Sequence, residues 1–340
     1  MSNMKNILLV LVGGTICTEF DNVGMLSINR NAGLVLTESF YNSNSFCKDK
    51  VNIDCTENLL VLSENMTIGN WNLIIDTLRK HIVAKNYDGI IFAHGTDTLA
   101  FSTALFSLIL TSLEIPVFFV SANECLSSPR SNGNDNFKCA LECIALGISP
   151  NVYAVYKNLS DNRMYLHLAS RLVQCSNYSE DFYSVGAMDI TDLSSENAYC
   201  YFSELNKKYP QKSKKTAISI LGDWHLRDCV LKIEPYVGIN YDIYDYSKFS
   251  AVLHGSYHSG TACCMKSRYN DIYDKYRNRT GRHHLRGTPW GVGEYGLVVC
   301  VWVYDGNGRI LLTRRAPEKS FAGTWENSGG AAEAGESSLQ

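Results

Sequence analysis

The feature that most constrains the fold is a run of six apolar residues, Ile7–Val12, that stops abruptly at Gly13-Gly14-Thr15. A short, unbroken apolar run ended by glycines is the pattern of a strand buried on both faces of a parallel sheet. It is too short for a signal-peptide core or a membrane span, so the expectation is a cytoplasmic protein with no membrane association. Similar runs recur at Asp88–Ala93, Pro116–Val120 and Val152–Tyr156, and helical spacing lies between them. Thr67 can cap a helix to about Lys85 that carries Ile68, Trp71, Ile74, Ile75, Leu78 and Ile82 on one stripe. Asp97 to about Thr111 and Asn136–Leu146 also read as helices. Strand–helix alternation of this kind predicts a doubly wound α/β sheet with right-handed crossovers.

Composition narrows the partners. The chain is 45% hydrophobic and 19% charged, which supports sizeable cores and argues against disorder. Its 31 Lys and Arg against 34 Asp and Glu give a net charge of −3, so no global basic field invites nucleic acid. The twelve cysteines are scattered, with no C-x-x-C spacing and no histidine pair at zinc-ligand spacing beside them. Cys139 and Cys143 fall on one predicted helix, and Cys263-Cys264 are adjacent, which is poor geometry for one bridge. They read as reduced cysteines packed as small hydrophobes, and no metal site is expected.

Beyond the first 205 residues the pattern changes. Asn206–Lys215 carries five lysines and Pro210 and reads as a solvated linker. Strands are expected at Thr216–Leu221 and Ala251–His254. A second boundary falls near Ser267, because residues 266–290 carry seven Lys or Arg against two Asp. Strands Leu297–Tyr304 and Arg309–Thr313 then flank a turn at Asp305-Gly306-Asn307-Gly308.

In a doubly wound sheet, ligands bind beyond the carboxyl ends of the strands. Three polar loops fall there: Gly13-Gly14-Thr15, His94-Gly95-Thr96-Asp97-Thr98, and Ser121–Arg130. The two glycines allow a sharp turn and close approach to a ligand, presenting the Thr15 hydroxyl, although a plain strand–loop junction reads the same way. The second loop sets a hydroxyl and a carboxylate at a helix N-terminus, suited to binding an anion or orienting a water. Its alternative reading is that Thr96 or Asp97 merely caps the helix.

Taken together, Leu11-Val12-Gly13-Gly14-Thr15-Ile16 and His94-Gly95-Thr96-Asp97-Thr98 resemble the two signatures of the bacterial-type L-asparaginase/glutaminase family. Ser63-Glu64-Asn65-Met66-Thr67, Ser128–Gly133 with Asn136, and His254–Ala262 resemble three further segments of that family in the same order. The resemblance covers about residues 4–267. It implies a flavodoxin-like parallel sheet and a small amide substrate such as L-asparagine, with no cofactor. It also implies a homodimer or tetramer.

The implied reaction passes through a covalent acyl-enzyme. Thr15 would be the nucleophile. Thr96 and Asp97 would form a second constellation, positioning water or binding the substrate's α-ammonium. Ser63 would meet the α-carboxylate and Glu64 the ammonium. Backbone N–H groups near Thr96 and Ala122, beside Gly14 and Gly95, would form an oxyanion hole. Two positions depart from the pattern. Met25 stands where the family usually has a tyrosine, and Arg171 is the nearest cation to where it has a lysine. Arginine stays protonated and cannot serve as a base. A non-catalytic amino-acid-binding or degenerate homologue of that family, fused to the nucleoside-diphosphate hydrolase-like segment that follows, is therefore the alternative function.

The last 70 residues resemble the opening of a Nudix hydrolase, with Asp271–Asp274, Arg277–Arg282, Gly323-Thr324-Trp325 and Gly329-Gly330. Gly330 and Glu336 match the first part of its box, and the paired glutamates that bind magnesium would lie past Gln340. Mg2+ is thus expected only with a complete Nudix domain. The expected organisation is a catalytic domain over 1–205, a linker over 206–215, a short α/β second domain over 216–267, and a partial Nudix-type α+β segment over 268–340.

Overall fold

Seven strands build the central sheet of the computed structural model, which describes residues 4–20, 23–59, 61–110, 112–176, 178–208, 219–257 and 269–301, with 313–314, 325–326 and 328–331. The chain divides into two units, Met1–Asp228 and Cys229–Gln340.

In the first unit, strand Lys5–Leu11 pairs in parallel with Val51–Cys55 on one side and Gly89–Ala93 on the other. Gly89–Ala93 continues in parallel to Val117–Val120, which pairs in parallel with Val152–Lys157. Two antiparallel strands, Met164–Leu168 and Met188–Asp189, extend that edge. Numbered along the chain, the five parallel strands lie in the order 2-1-3-4-5, the flavodoxin-like arrangement that the sequence implies.

Helices cover both faces, which explains the unbroken apolar runs. Leu8 and Val10 pack on one face with Ile74, Ile75 and Leu78 of α2 (Ile68–Ala84) and Phe106 of α3 (Leu99–Ile109). Ile7 and Leu9 pack on the other with Leu36 and Phe40 of α1 (Ala32–Tyr41) and Ile144 of α4 (Gly133–Ala145). Complete burial of Ile7 to Val10 would stabilise the fold by roughly 1.5–3 kcal/mol per side chain. Thr67 caps α2 as expected: its hydroxyl accepts from Asn70 N, and the Asn70 side chain accepts from Thr67 N. The described cysteines from Cys17 to Cys229 are all free.

Two expectations are corrected. Asn206, Lys207 and Lys208 form the last turn of α5 (Ala198–Lys208), where basic residues favour the negative end of a helix. The rest of the expected linker, 209–215, lies outside the described residues. Ser219–Leu221 is a turn instead of strand, and 216–218 are likewise not described. Arg79 of α2 takes the carbonyls of that stretch, donating to Ile220 O (2.7 Å), Gly222 O (2.6 Å) and Trp224 O (2.8 Å). These three bonds fasten the turn to α2.

In the second unit, Val230–Ile233 and Ala251–His254 form a two-stranded parallel sheet. Tyr269–Tyr273 and Arg279–Leu285 form a hairpin, in which Asp271 meets Arg279 at 3.2 Å and His283 at 3.1 Å. Val298–Val301 pairs with Ser328–Ala331, and Thr313–Arg314 with Trp325–Glu326. The expected turn at 305–308, the segment 258–262 and Glu336 lie outside the described residues, while Gly330 is paired with Val299.

Candidate active site at the sheet's switch point

The strand order reverses between Lys5–Leu11 and Gly89–Ala93, whose crossovers leave toward opposite faces. A crevice opens beyond the carboxyl ends of such strands. Hydrogen bonding continues past the strand ends and draws three loops into it. Val12 N donates to Ala93 O at 3.0 Å, Val61 N to Val12 O at 3.0 Å, and Gly14 N to Val61 O at 2.9 Å. The Gly13-Gly14-Thr15 turn therefore lies between the segment before Ser63 and the His94–Thr98 loop.

The glycines are required by space. A Cβ on Gly14 would lie 2.1 Å from Gly95 Cα, and one on Gly13 would lie 2.1 Å from Val61 O. Gly14 also has φ +74°, a conformation that side chains disfavour. On Gly95 a Cβ would sit 2.4 Å from Ser63 Oγ. Backbone packing at this density sets the chain around Thr15, Ser63 and Asp97.

Thr15 opens a short 3-10 helix, Thr15–Cys17, and is half-buried; its carbonyl accepts from the Thr18 hydroxyl at 2.8 Å. Burial of the neighbouring Cys17 pushes its thiol up to about 12, so that cysteine is a neutral hydrophobe here. Thr96 is half-buried and Asp97 exposed. Neither caps α3 through its side chain: Thr98 is the N-cap, without a side-chain cap bond. The Thr98 hydroxyl donates to Ser63 O at 3.0 Å, and the Ser63 hydroxyl donates to Asp97 Oδ2 at 2.8 Å. The expected carboxylate contact of Ser63 thus meets a competitor, because its single hydroxyl proton is given to Asp97. Glu64 stands exposed beside it.

The third loop is fastened by asparagines. Asn136, fully buried, donates to Ser121 O at 2.9 Å and accepts from Lys157 N at 2.7 Å. This holds Ala122, also fully buried, at the end of its strand, and Gly133 packs where a Cβ would touch Ala122 at 2.8 Å. His94 is buried and neutral: burial pushes its pKa down to about 4, offset in part by the contact of Nδ1 with Gly95 O at 2.8 Å.

The two departures have different settings. Met25 is 66% exposed at the turn of a hairpin formed by Thr18–Phe20 and Leu26–Ile28. Arg171 is exposed at the end of the 3-10 helix Ala169–Arg171, which packs on α3. Sequence reasoning missed the residues that follow it. Gln174 Nε2 donates to Asp97 O at 2.7 Å. Cys175 stands close enough that Asp97 helps to raise its thiol pKa, after burial and the charges of Asp181 and Glu180. No local pattern marks either residue, since the Gln174 contact spans 77 positions.

Among the described residues no group of three or more His, Cys, Asp or Glu is arranged to hold a metal ion. Of the Gly330–Glu336 stretch that resembles the Nudix box, Gly330 and Ala331 lie on a strand and Glu336 lies outside the described residues. No described helix is long and apolar enough to cross a membrane.

A family model described as "Asparaginase, N-terminal" matches residues 6–201, and one described as "NUDIX domain" matches 294–340. Among curated proteins, the chain is similar to a glutamyl-tRNA(Gln) amidotransferase subunit of Archaeoglobus fulgidus, with 25% identity over 95% of this chain and 80% of that protein. The protein of the same name from Thermoplasma volcanium is 26% identical over 60% of this chain and 48% of its own length. The chain thus spans most of one such relative and about half of the other. Among solved structures, it resembles the thermostable L-asparaginase from Thermococcus kodakarensis, with TM-score 0.53, 17% identity, and 77% of this chain and 74% of that one covered. L-asparaginase I from Vibrio cholerae gives 0.52, 19%, 77% and 75%.

Proposed function

The chain belongs to the asparaginase family, and from that premise we propose that it hydrolyses the side-chain amide of a small amino acid, with L-asparagine as the first substrate to test. The observation that carries this reading is the backbone contact of Gly14 with Gly95. The residues that follow these two glycines, Thr15 with its half-buried hydroxyl and Thr96-Asp97, support reading the switch point as the reacting centre.

In the proposed reaction the Thr15 hydroxyl oxygen attacks the amide carbon. Its proton passes to the departing nitrogen, the C–N bond breaks, and ammonia leaves. The resulting ester is attacked by water, which returns a proton to Thr15 and releases the carboxylic acid. Backbone N–H groups near Thr96 and Ala122 would face the oxyanion in both steps. Glu64 and Asp97 would hold the α-ammonium by charge-assisted contacts. Thr15 would be activated without the family's usual tyrosine, because Met25 has no hydroxyl. Turnover is therefore expected to be slow.

The test is ammonia release from L-asparagine and L-glutamine by the purified chain. Absence of release from both, with binding retained, would favour the binding-protein alternative. A second reading rests on the names of the curated relatives: the chain would hydrolyse glutamine to supply ammonia to an amidotransferase. Preferential release from L-glutamine would favour it. We further propose a cytoplasmic homo-oligomer, for which light scattering is the measurement.

A further inference from the structure

The His94 side chain makes one hydrogen bond among the described residues, and it is to its own neighbour: Nδ1 lies 2.8 Å from the carbonyl oxygen of Gly95. Burial keeps the ring neutral, with its pKa down to about 4. A carbonyl only accepts, so Nδ1 carries the proton and Nε2 is the bare nitrogen. Nε2 is buried without a partner, and the ring lies edge-on to Phe119, 6.0 Å between centroids, on the sheet face that α2 and α3 cover. The Gly95 carbonyl, for its part, takes no main-chain N–H among the described residues.

Gly95 C=O and Thr96 N–H belong to one planar peptide, and no described peptide bond is cis. The two groups therefore point opposite ways, the oxygen toward the buried His94 ring and the N–H away from it. Gly95 has no Cβ to restrain the rotation, so the peptide that follows it turns over at little steric cost. Its orientation has to be held from outside, and the His94 Nδ1–H is the donor found on it. The Thr96 N–H has no acceptor among the described residues, in a loop whose Gly95 meets Gly14, the residue before Thr15. Resting on the amidohydrolase reading above, we propose that His94 is a positioning residue: its Nδ1–H locks the Gly95–Thr96 peptide in the orientation that presents the Thr96 N–H to the oxyanion.

Nitrogen-15 NMR of the full chain reads the contact directly. The His94 ring should be the Nδ1–H tautomer at neutral pH, and the Nε2–H tautomer would overturn the proposal whatever the activity of the chain. Two variants then separate positioning from packing. His94→Asn keeps an N–H where Nδ1 stood, and His94→Leu fills the space without a donor. In ammonia release from L-asparagine, His94→Leu should lower kcat about 10²-fold, the size of losing one oxyanion donor, with KM within about threefold and the melting temperature near wild type. His94→Asn should stay within about fivefold of wild type in kcat. A parental kcat in His94→Leu, or equal losses in the two variants, would overturn the proposal. A wild-type chain that releases no ammonia from asparagine or glutamine would sink the hydrolytic reading, and crystal structures of the variants would then decide on the lock alone. A Gly95–Thr96 peptide turned over in His94→Leu and retained in His94→Asn supports it; a peptide unchanged in both refutes it.

Discussion

Gly14 and Gly95 meet backbone to backbone, so that a methyl group on Gly14 would fall 2.1 Å from the Gly95 Cα. Gly14→Ala should therefore force the two loops apart and also strain a residue at φ +74°. A loss of about 3 kcal/mol or more is expected, with ammonia release falling further than stability alone explains. Thermal melts beside a rate assay check this, and a variant with parental values in both would show that the loops are not held by this contact.

Thr15→Ala should abolish amide hydrolysis and leave the circular dichroism spectrum and melting temperature close to wild type. The side chain is half-buried at a loop, so little packing is lost. Removing a covalent nucleophile costs about 10³-fold or more in rate. Near-parental ammonia release by this variant would assign the nucleophile elsewhere.

Asn136→Ala should destabilise the first unit by about 2–4 kcal/mol. It would strip the partners from Ser121 O and Lys157 N, groups that become buried polar atoms without compensation. Urea unfolding gives the number, and an unchanged midpoint would contradict it.

Acid should weaken the fold through two histidines. His94 is pushed down to about 4 by burial, and His167, whose Nδ1 contacts Ser184 Oγ at 2.9 Å, is also pushed to about 4 by burial. Unfolded histidine titrates near 6.5, so between pH 6.5 and 4 the unfolded chain binds protons that the folded chain refuses. Stability is expected to fall as pH drops through that window, by on the order of 3 kcal/mol per histidine, and to level off from this cause below 4. A His167→Gln variant should show a shallower fall in pH-dependent melts; an unaltered slope would remove His167 from the account.

What the sequence determined by itself is what local patterning can encode. Ile7–Val12 is apolar at every position because helices cover both faces of its strand, and the Thr67–Asn70 capping box starts α2 with groups three residues apart. The polar loops at the strand ends were legible for the same reason. The strand Val51–Cys55 was not, because it lies at the sheet's edge, where Asn52 and Asp54 are tolerated and break the apolar run. Only the tertiary structure decided how the loops use their residues. It gave the Ser63 hydroxyl to Asp97 across 34 positions and brought Gln174 to the Asp97 carbonyl across 77. Such pairings follow from which strands are neighbours and how closely glycine lets their ends approach, and hydrogen bonds between distant residues leave no periodic mark on the chain.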